Sequence, residues 1–531
     1  MINIFLLRFP KWFIIILLLG PLDYWLLLDQ SVLPWDQAYY ADMSIRISST
    51  LFRSFPDGLR LAVNPLPERT PGIAWLGSVF APLGTFSVNP AHGVLLLTLL
   101  LSHTNLMLLS ILLERNGYSR LVNLTVIGFV ASGSLFVGIG QTFFSEPLLL
   151  TGVLLTLIVT IGPPPIKIIE LLPHQAVAML LAVLGKLMAP VYLVLPVFYI
   201  LFSHTRAPNT LKCLKRLARQ RDTRAAIFLY ALFSLWLITA SHGLITRAMF
   251  STKGPIASFY GSHSGFLEKL IYWGGQVVYS YTTSYCFVFL IFVFVVYFFM
   301  LVFSPLSFTH YHQQLLLVSS LQIMFSLALF SLADNEDTRF LYALSPYLAL
   351  ILASLLAGVP LWLQRCFFLV VIFQFVSLWS HLFSFPTIQF SYNRYSLPLR
   401  TDRVALAEIR SLIGATCPRQ LNGYANIVGV DLPNLNHNTL NSYASLLMWP
   451  NLPTCSYTSL GYMETNADIA YNRLMNIRPL HVIFPVQLPV SLTHDPLNMV
   501  TSAVLARLKL DPGYRELTGA PSAYAIWTLA R

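Results

Sequence analysis

A polytopic α-helical membrane protein with a small C-terminal mixed α/β domain is the fold class that this sequence predicts. Three observations predict it. Of the 531 residues, 56% are hydrophobic and only 10% charged, far from the roughly 25% charged of a soluble domain. Apolar runs of about twenty residues recur, long enough to cross a hydrocarbon core about 30 Å thick. The runs do not alternate, which favours helices, whose backbone satisfies its own hydrogen bonds, over the short alternating strands of a membrane barrel.

The first run, 9–28, has a basic start (Arg8, Lys11) but no small-residue cleavage site after it. A retained helix is expected there rather than a removed signal. Further membrane helices are expected near 91–113, 119–140, 147–162, 174–186, 188–203, 225–245, 277–303, 314–332, 341–359 and 366–388. The stretch "MLLAVLGKLMAPVYLVLPVFYIL" reads either as a two-helix hairpin or as one long kinked span. Loops rich in Lys and Arg stay cytoplasmic. Residues 204–224 carry seven of them (Arg206, Lys212, Lys215, Arg216, Arg219, Arg221, Arg224) against one acid, Asp222. Arg8, Lys11 and "ERNGYSR" (114–120) agree. Parity then selects the hairpin and places residues 29–90 and the C-terminal segment outside the cytoplasm. Much of the +11 net charge sits in that one basic loop. Anionic headgroups explain it, and no nucleic-acid partner is indicated.

The membrane module is expected over 1–388, and an extracytoplasmic domain over 389–531, where the composition turns polar. In that domain "VALAEIRSLIG" and "MVTSAVLARLKL" have helical periodicity, and "HVIFPV" (481–486) and "YAIWTLA" (524–530) read as strands. The Asn- and Tyr-rich middle, 432–466, reads as loop. Cys286 and Cys366 fall in or at apolar helices, and Cys213 in the basic loop. Cys417 and Cys455 share the outer domain, either as a disulfide, which an oxidising compartment favours, or as two separate thiols.

The chemistry concentrates between the first two membrane helices. About sixty residues are too many for a connector, and they hold Asp36, Asp42, Arg46, Arg53, Asp57, Arg60, Glu68 and Arg69. In "DQAYYADMSIRISSTLF", Ala38, Ala41, Ile45, Ser48/Ser49 and Phe52 recur with helical period, which predicts an amphipathic helix along the membrane surface. By themselves these charges read as well as a solvated interfacial anchor.

The order of motifs adds to this. "PWDQAYYADMS" resembles the acidic first external loop of the GT-C glycosyltransferases, which include protein O-mannosyltransferases, lipid A aminoarabinose transferases and bacterial relatives that use polyprenyl-phosphate sugars. "ERTPGIAWLGSVF" resembles that family's basic-Pro-Pro segment, and "FFSEPLLLTGVLL" its acidic-Pro helix start. "LAVLGKLMAPVYLVLPVF" resembles its helix–Lys–Pro–helix hairpin, and "NEDTRFLYALSPYLALILA" its Arg-Tyr-hydrophobic-Pro helix. Five motifs in order span roughly residues 10–390. The sequence departs from the pattern at Gln37, where many relatives carry Glu, at Thr70, which interrupts the Pro-Pro, and at Glu146, where Asp is more usual.

The resemblance implies about eleven membrane helices, a cytoplasmic N-terminus, and transfer of a sugar from a polyprenyl-phosphate donor to an acceptor hydroxyl on a glycan, lipid or protein. The site of action would be the extracytoplasmic face of a membrane, a bacterial plasma membrane by preference. Such chemistry needs a carboxylate base for the hydroxyl and cations for the departing phosphate. Asp36 is the candidate base, and Lys186, Arg339 and Arg69 are the candidate phosphate ligands. Glu146, Asp42 and Glu68 are candidate acidic partners. Asp42 lies at i+6 from Asp36, so one helical face does not present both. No metal ligand set is predicted, although a divalent cation is compatible with the resemblance. His310 and His312, two residues apart, read as a solvated turn. The rival readings are a lipid-linked-sugar transporter or flippase and a non-catalytic envelope protein. The former predicts ionisable groups at mid-membrane and symmetry-related halves, whereas here the charges gather at helix ends and no internal repeat is evident.

Overall fold

The computed structural model describes residues 10–63, 69–161, 168–204, 221–240, 261, 265–303, 310–380, 406–417, 423–461, 463–487, 495, 497–521 and 523–530. In chain order the helices of the membrane module are α1 (Lys11–Leu28), α2 (Trp35–Arg53), α3 (Phe55–Val63), α4 (Gly72–Phe80), α5 (His92–Arg115), α6 (Arg120–Ala131), α7 (Ser134–Gly140) and α8 (Glu146–Thr160). They continue as α9 (Ile168–Gly185), α10 (Ala189–His204), α11 (Arg221–Ala240), α12 (Phe266–Tyr281), α13 (Ser284–Phe303), α14 (His310–Ser331), α15 (Ser345–Ala357) and α16 (Leu361–Trp379). A 3₁₀ segment, Thr338–Leu344, runs into α15.

Among the described residues, six helical stretches are long and apolar enough to cross a membrane: Lys11–Leu28, His92–Arg115, Ser284–Phe303, Tyr311–Ser331, Thr338–Ala357 and Leu361–Trp379. The expected span at 119–140 is instead a pair, α6 and α7, bent by 63° at Ser132–Gly133. The expected span at 277–303 breaks at Thr282–Thr283, and its first part begins earlier, at Phe266. α8 is a shorter apolar helix, as is the His174–Gly185 part of α9. The chain is an integral membrane protein. Most of the basic loop, 205–220, lies outside the described residues and Cys213 with it.

Breaks inside apolar surroundings need replacement hydrogen bonds. One buried side chain serves two of them. Gln374 of α16 donates to Ser132 Oγ (3.0 Å) and to Tyr281 O (3.1 Å), and its carbonyl accepts from Thr283 N (3.0 Å). Pro196 inside α10 cannot donate to Tyr192 O, as proline lacks the N–H. That carbonyl accepts from Tyr347 Oη instead.

α2 forms where expected, and Ala38, Ala41 and Ile45 are indeed its buried stripe. What covers the stripe is protein rather than lipid: α2 packs against α4 and against a helix of the C-terminal domain. The outward apolar row lies one turn on, at Phe52, Phe55, Leu59 and Val63, the last three on α3.

The C-terminal domain continues with α17 (Leu406–Thr416), β1 (Tyr424–Val428), α18 (His437–Met448), β2 (Cys455–Ser459), α19 (Ala467–Ile477), β3 (His481–Pro485), α20 (Thr501–Leu510), β4 (Tyr514–Glu516) and β5 (Tyr524–Leu529). The five strands lie in the order β2-β1-β3-β5-β4. β1 is parallel to β2 and β3, while β5 is antiparallel to β3 and β4. The stretch 432–466 is not loop: it contains α18, capped by the Asn436 side chain on Thr439 N (3.0 Å), and β2. Its Asn residues mark a helix start, which sequence composition alone reads as turn. Cys417, after α17, and Cys455, at the start of β2, form a disulfide with a Cα–Cα distance of 5.5 Å.

Candidate functional site

The site is built by helices that approach unusually closely. A Cβ on Gly152 of α8 would lie 2.3 Å from Ala182 N, and one on Gly185 would lie 2.6 Å from Leu149 N. Only glycine permits α8 and α9 to come together at both levels. The consequence is that Lys186, just past α9, meets Glu146, the first residue of α8. Lys186 Nζ donates to Glu146 Oε1 at 2.7 Å and stands 4.8 Å from the centre of the Phe340 ring. The second oxygen, Glu146 Oε2, is buried without a hydrogen-bond partner among the described residues.

Arg339 reaches the same carboxylate more distantly, with Nε 3.9 Å from Glu146 Oε1. Its nearer partner is Asp337, to whose Oδ2 the Nε donates at 2.7 Å, and its guanidinium stands 4.2 Å from the centre of the Phe144 ring. The backbone that carries it is clamped by aromatic hydroxyls: Tyr192 Oη donates to Phe340 O (2.8 Å) and Tyr281 Oη to Leu341 O (3.2 Å). Of the other acids near Arg339 in sequence, Asp334 goes elsewhere, accepting from Lys269 Nζ at 2.9 Å.

Asp36 sits in the first turn of α2 and meets Arg69 in a two-pronged pair. Arg69 Nη1 donates to Asp36 Oδ2 at 2.9 Å and Nη2 to Oδ1 at 2.7 Å. The rings of Tyr39 and Tyr40 flank the guanidinium, their centres 5.7 and 5.3 Å from it. Burial would raise the Asp36 pKa. The charges of Arg69 and Arg339 and the Arg69 hydrogen bonds outweigh it and hold the carboxyl below its usual range, with Asp337 opposing. Thus Asp36 lies within the electrostatic reach of the Arg339–Asp337 pair. The Asp36 side chain still keeps 33% of its surface exposed.

Two of the residues where the sequence departs from the GT-C pattern join these halves. Thr70 Oγ1 donates to Gly185 O at 2.7 Å, tying the Arg69 segment to the Lys186 turn. The Gln37 side-chain carbonyl accepts from Phe143 N at 3.3 Å, tying α2 to the loop that leads into Glu146. Asp36, Arg69, Glu146, Lys186 and Arg339 therefore belong to one constellation. Asp42 does not share it. That acid is buried, accepts from Ser445 Oγ of α18 at 2.7 Å, and forms an ion pair with Arg46 Nε at 2.8 Å. Glu68 lies outside the described residues.

His312 is not in a solvated turn: it lies in α14, stacks on Tyr118 at 4.7 Å and shares a 3.1 Å hydrogen bond with Asn116 O. The side chain of His310 lies outside the described residues. No group of three His, Cys, Asp or Glu residues with metal-binding geometry occurs among the described residues. Sequence reasoning missed Tyr192, Tyr281 and Lys269, because an aromatic or a lysine in an apolar helix carries no signal of the backbone carbonyl it will meet.

No family model matches the chain, and no curated protein matches it by sequence. Two crystal structures of ArnT from Cupriavidus metallidurans match it in three dimensions. The apo state superimposes with a TM-score of 0.53, and the state bound to undecaprenyl phosphate with 0.57. Each is 12% identical and covers 96% of this chain and 97% of that chain. The chain therefore has the ArnT fold over nearly its whole length: its membrane helices agree with the GT-C resemblance, and its C-terminal sheet domain with the mixed α/β domain read from composition and periodicity.

Proposed function

We propose that this chain is an integral-membrane glycosyltransferase that moves a sugar from a polyprenyl-phosphate donor to an acceptor hydroxyl. The observation that carries this reading is a carboxylate, Asp36, forked to Arg69 and in the field of Arg339, beside a Glu146–Lys186 pair that Thr70 ties to the Arg69 segment. The ArnT fold, seen there with undecaprenyl phosphate, supports the donor class. The reaction takes place on the extracytoplasmic face, with the N-terminus cytoplasmic, and the compartment is the bacterial plasma membrane. Cell-envelope glycan, glycolipid and protein hydroxyls are the acceptor classes.

In the geometry at hand each cation is already paired with an acid. A donor phosphate enters by competing for these cations: Arg69 offers it a fork, and Lys186 a point charge. As the phosphate draws Arg69 away, Asp36 loses the interaction that depresses its proton affinity and becomes a better base for the acceptor hydroxyl. The hydroxyl oxygen then attacks the anomeric carbon, its proton passes to Asp36, and the sugar–phosphate bond breaks with the electrons on the phosphate, where the cations hold them.

The test is transfer from radiolabelled polyprenyl-phosphate sugars by the purified chain and by Asp36→Asn. The variant keeps the acceptor oxygen and the fold and loses transfer by a factor of about 10²–10⁴. Normal transfer by Asp36→Asn sinks the assignment of the base. Consumption of none of these donors by the unaltered chain sinks the transferase reading itself.

A further inference from the structure

We propose that Asp431, in the C-terminal domain, is a positioning residue for Asp36 and acts through the indole of Trp35. The assignment of a task to Asp36 rests on the transferase reading above; the mechanical link does not.

Trp35 is the residue immediately before Asp36, and its backbone has φ +33°, a left-handed conformation that a bulky L residue seldom adopts. Such a conformation persists only when the surroundings over-determine it. Those surroundings come from the C-terminal domain. Trp35 Nε1 donates to Asp431 Oδ1 at 2.8 Å, across 396 residues of sequence. Two residues earlier, Leu33 O accepts from Thr439 Oγ1 of α18 at 2.9 Å, and the Leu33 side chain is fully buried. The segment that launches α2 is thus held at two points by one domain.

Asp431 is itself fixed. Its backbone N–H donates to Asn498 Oδ1 at 2.7 Å, and its carbonyl accepts from Asn498 Nδ2 at 3.2 Å. Asn498 is buried and donates further to Asp495 Oδ2 at 2.7 Å. The chain of contacts runs from the end of the sheet, through Asp431 and the Trp35 ring, to the peptide that carries Asp36. On the far side, Asp36 must match the two-pronged geometry of Arg69. A fork of two hydrogen bonds tolerates little rotation, and a misplacement of about an ångström in a reacting group costs on the order of a hundredfold in rate.

The link makes three variants informative in the full-length purified chain. Asp431→Leu removes the acceptor, Asp431→Asn keeps an oxygen for the indole, and Trp35→Phe removes the donor. Gln37 N and Ala38 N both donate to Pro34 O in the first turn of α2, so their amide exchange reads the launch geometry without any substrate. Exchange at these amides is expected to rise about tenfold in Asp431→Leu and in Trp35→Phe and to stay near the unaltered rate in Asp431→Asn. With a polyprenyl-phosphate sugar as donor, kcat is expected to fall about a hundredfold in the first two, with donor KM unchanged and with rescue by Asn. Unchanged exchange in both Asp431→Leu and Trp35→Phe overturns the link, as does raised exchange with unchanged kcat. If Asp431→Leu does not fold, Trp35→Phe decides. If the unaltered chain transfers no sugar, the transferase reading fails while the exchange result still judges the clamp.

Discussion

Lys186 holds Glu146 at 2.7 Å across 40 residues of sequence, and the second oxygen of that carboxylate is buried with no hydrogen-bond partner among the described residues. The Glu146 side chain is 3% exposed and the Lys186 side chain 22%, so the acid is the buried member of the pair. Removing one member strands the other. Lys186→Met or Glu146→Gln is expected to cost about 3–5 kcal/mol, and the double variant much less than the sum. Unfolding midpoints in detergent measure this. Donor affinity should not recover in the double variant, because Lys186 is the proposed phosphate ligand.

Arg69→Lys keeps the charge beside Asp36 and loses the fork. Transfer is expected to fall by about ten- to a hundredfold in kcat/KM, the value of a charge-assisted hydrogen bond. The acid limb of the pH–rate profile gives a second readout. Arg69 depresses the Asp36 pKa, so weakening that interaction moves the limb to higher pH. A limb that moves to lower pH or not at all contradicts the assignment of Asp36 as base.

Two groups in the C-terminal domain make opposite contributions to stability below neutral pH. Burial, with the nearby Asp495 and Asp36 charges, pushes the Asp431 carboxyl up to about 6, against the hydrogen bond from Trp35. Folded Asp431 therefore binds its proton more tightly than the unfolded chain, and its contribution is present below about pH 4 and lost as pH rises through about 6. Burial and the Arg473 charge pull His437 down to about 4, with Asp42 opposing. The unfolded chain binds that proton more tightly, so stability is lost as pH falls from about 6.5 to about 4. Each amounts to at most about 3 kcal/mol. Between pH 4 and 6 the unaltered chain should show a nearly flat unfolding midpoint. Asp431→Asn should make the midpoint fall with acid, and His437→Gln should make it rise. The reverse slopes would refute both assignments.

The Cys417–Cys455 bridge closes a loop of 38 residues. The chain-entropy argument values such a loop at about 4 kcal/mol. Reduction, or Cys417→Ser with Cys455→Ser, should lower the unfolding midpoint of the C-terminal domain and change mobility on a non-reducing gel. Unaltered mobility, with both thiols open to alkylation, would contradict the bridge.

Much of the fold can be read from the sequence because a bilayer leaves few choices. An apolar run must hydrogen-bond to itself, so "VLLLTLLLSHTNLMLLSILL" is a helix whatever it packs against. The two strands "HVIFPV" and "YAIWTLA" of the C-terminal domain announce themselves by β-branched and aromatic residues. The helix breaks at Ser132–Gly133 and Thr282–Thr283 do not, because a distant Gln374 makes them tolerable. Nor does the helix in 437–448, where Asn residues suggest turns until Asn436 is seen as a cap.

The site divides along the same line. The sequence by itself determined which charges sit at helix ends and in the long first loop, since a charge at mid-membrane is expensive and one at an end is not. Only the tertiary structure decided the pairings: Asp36 with Arg69, Glu146 with Lys186, Arg339 with Asp337, and Asp42 with Ser445. The approach of α8 and α9 through Gly152 and Gly185, and the tethers of Thr70 and Gln37, set those pairs. Hydrophobic period selects which face of a helix is buried, but not which element buries it. That is why α2 reads as a lipid-facing helix in sequence and proves to be the seat of the C-terminal domain. A carboxylate's partner is fixed by contacts across hundreds of residues, which no local pattern encodes.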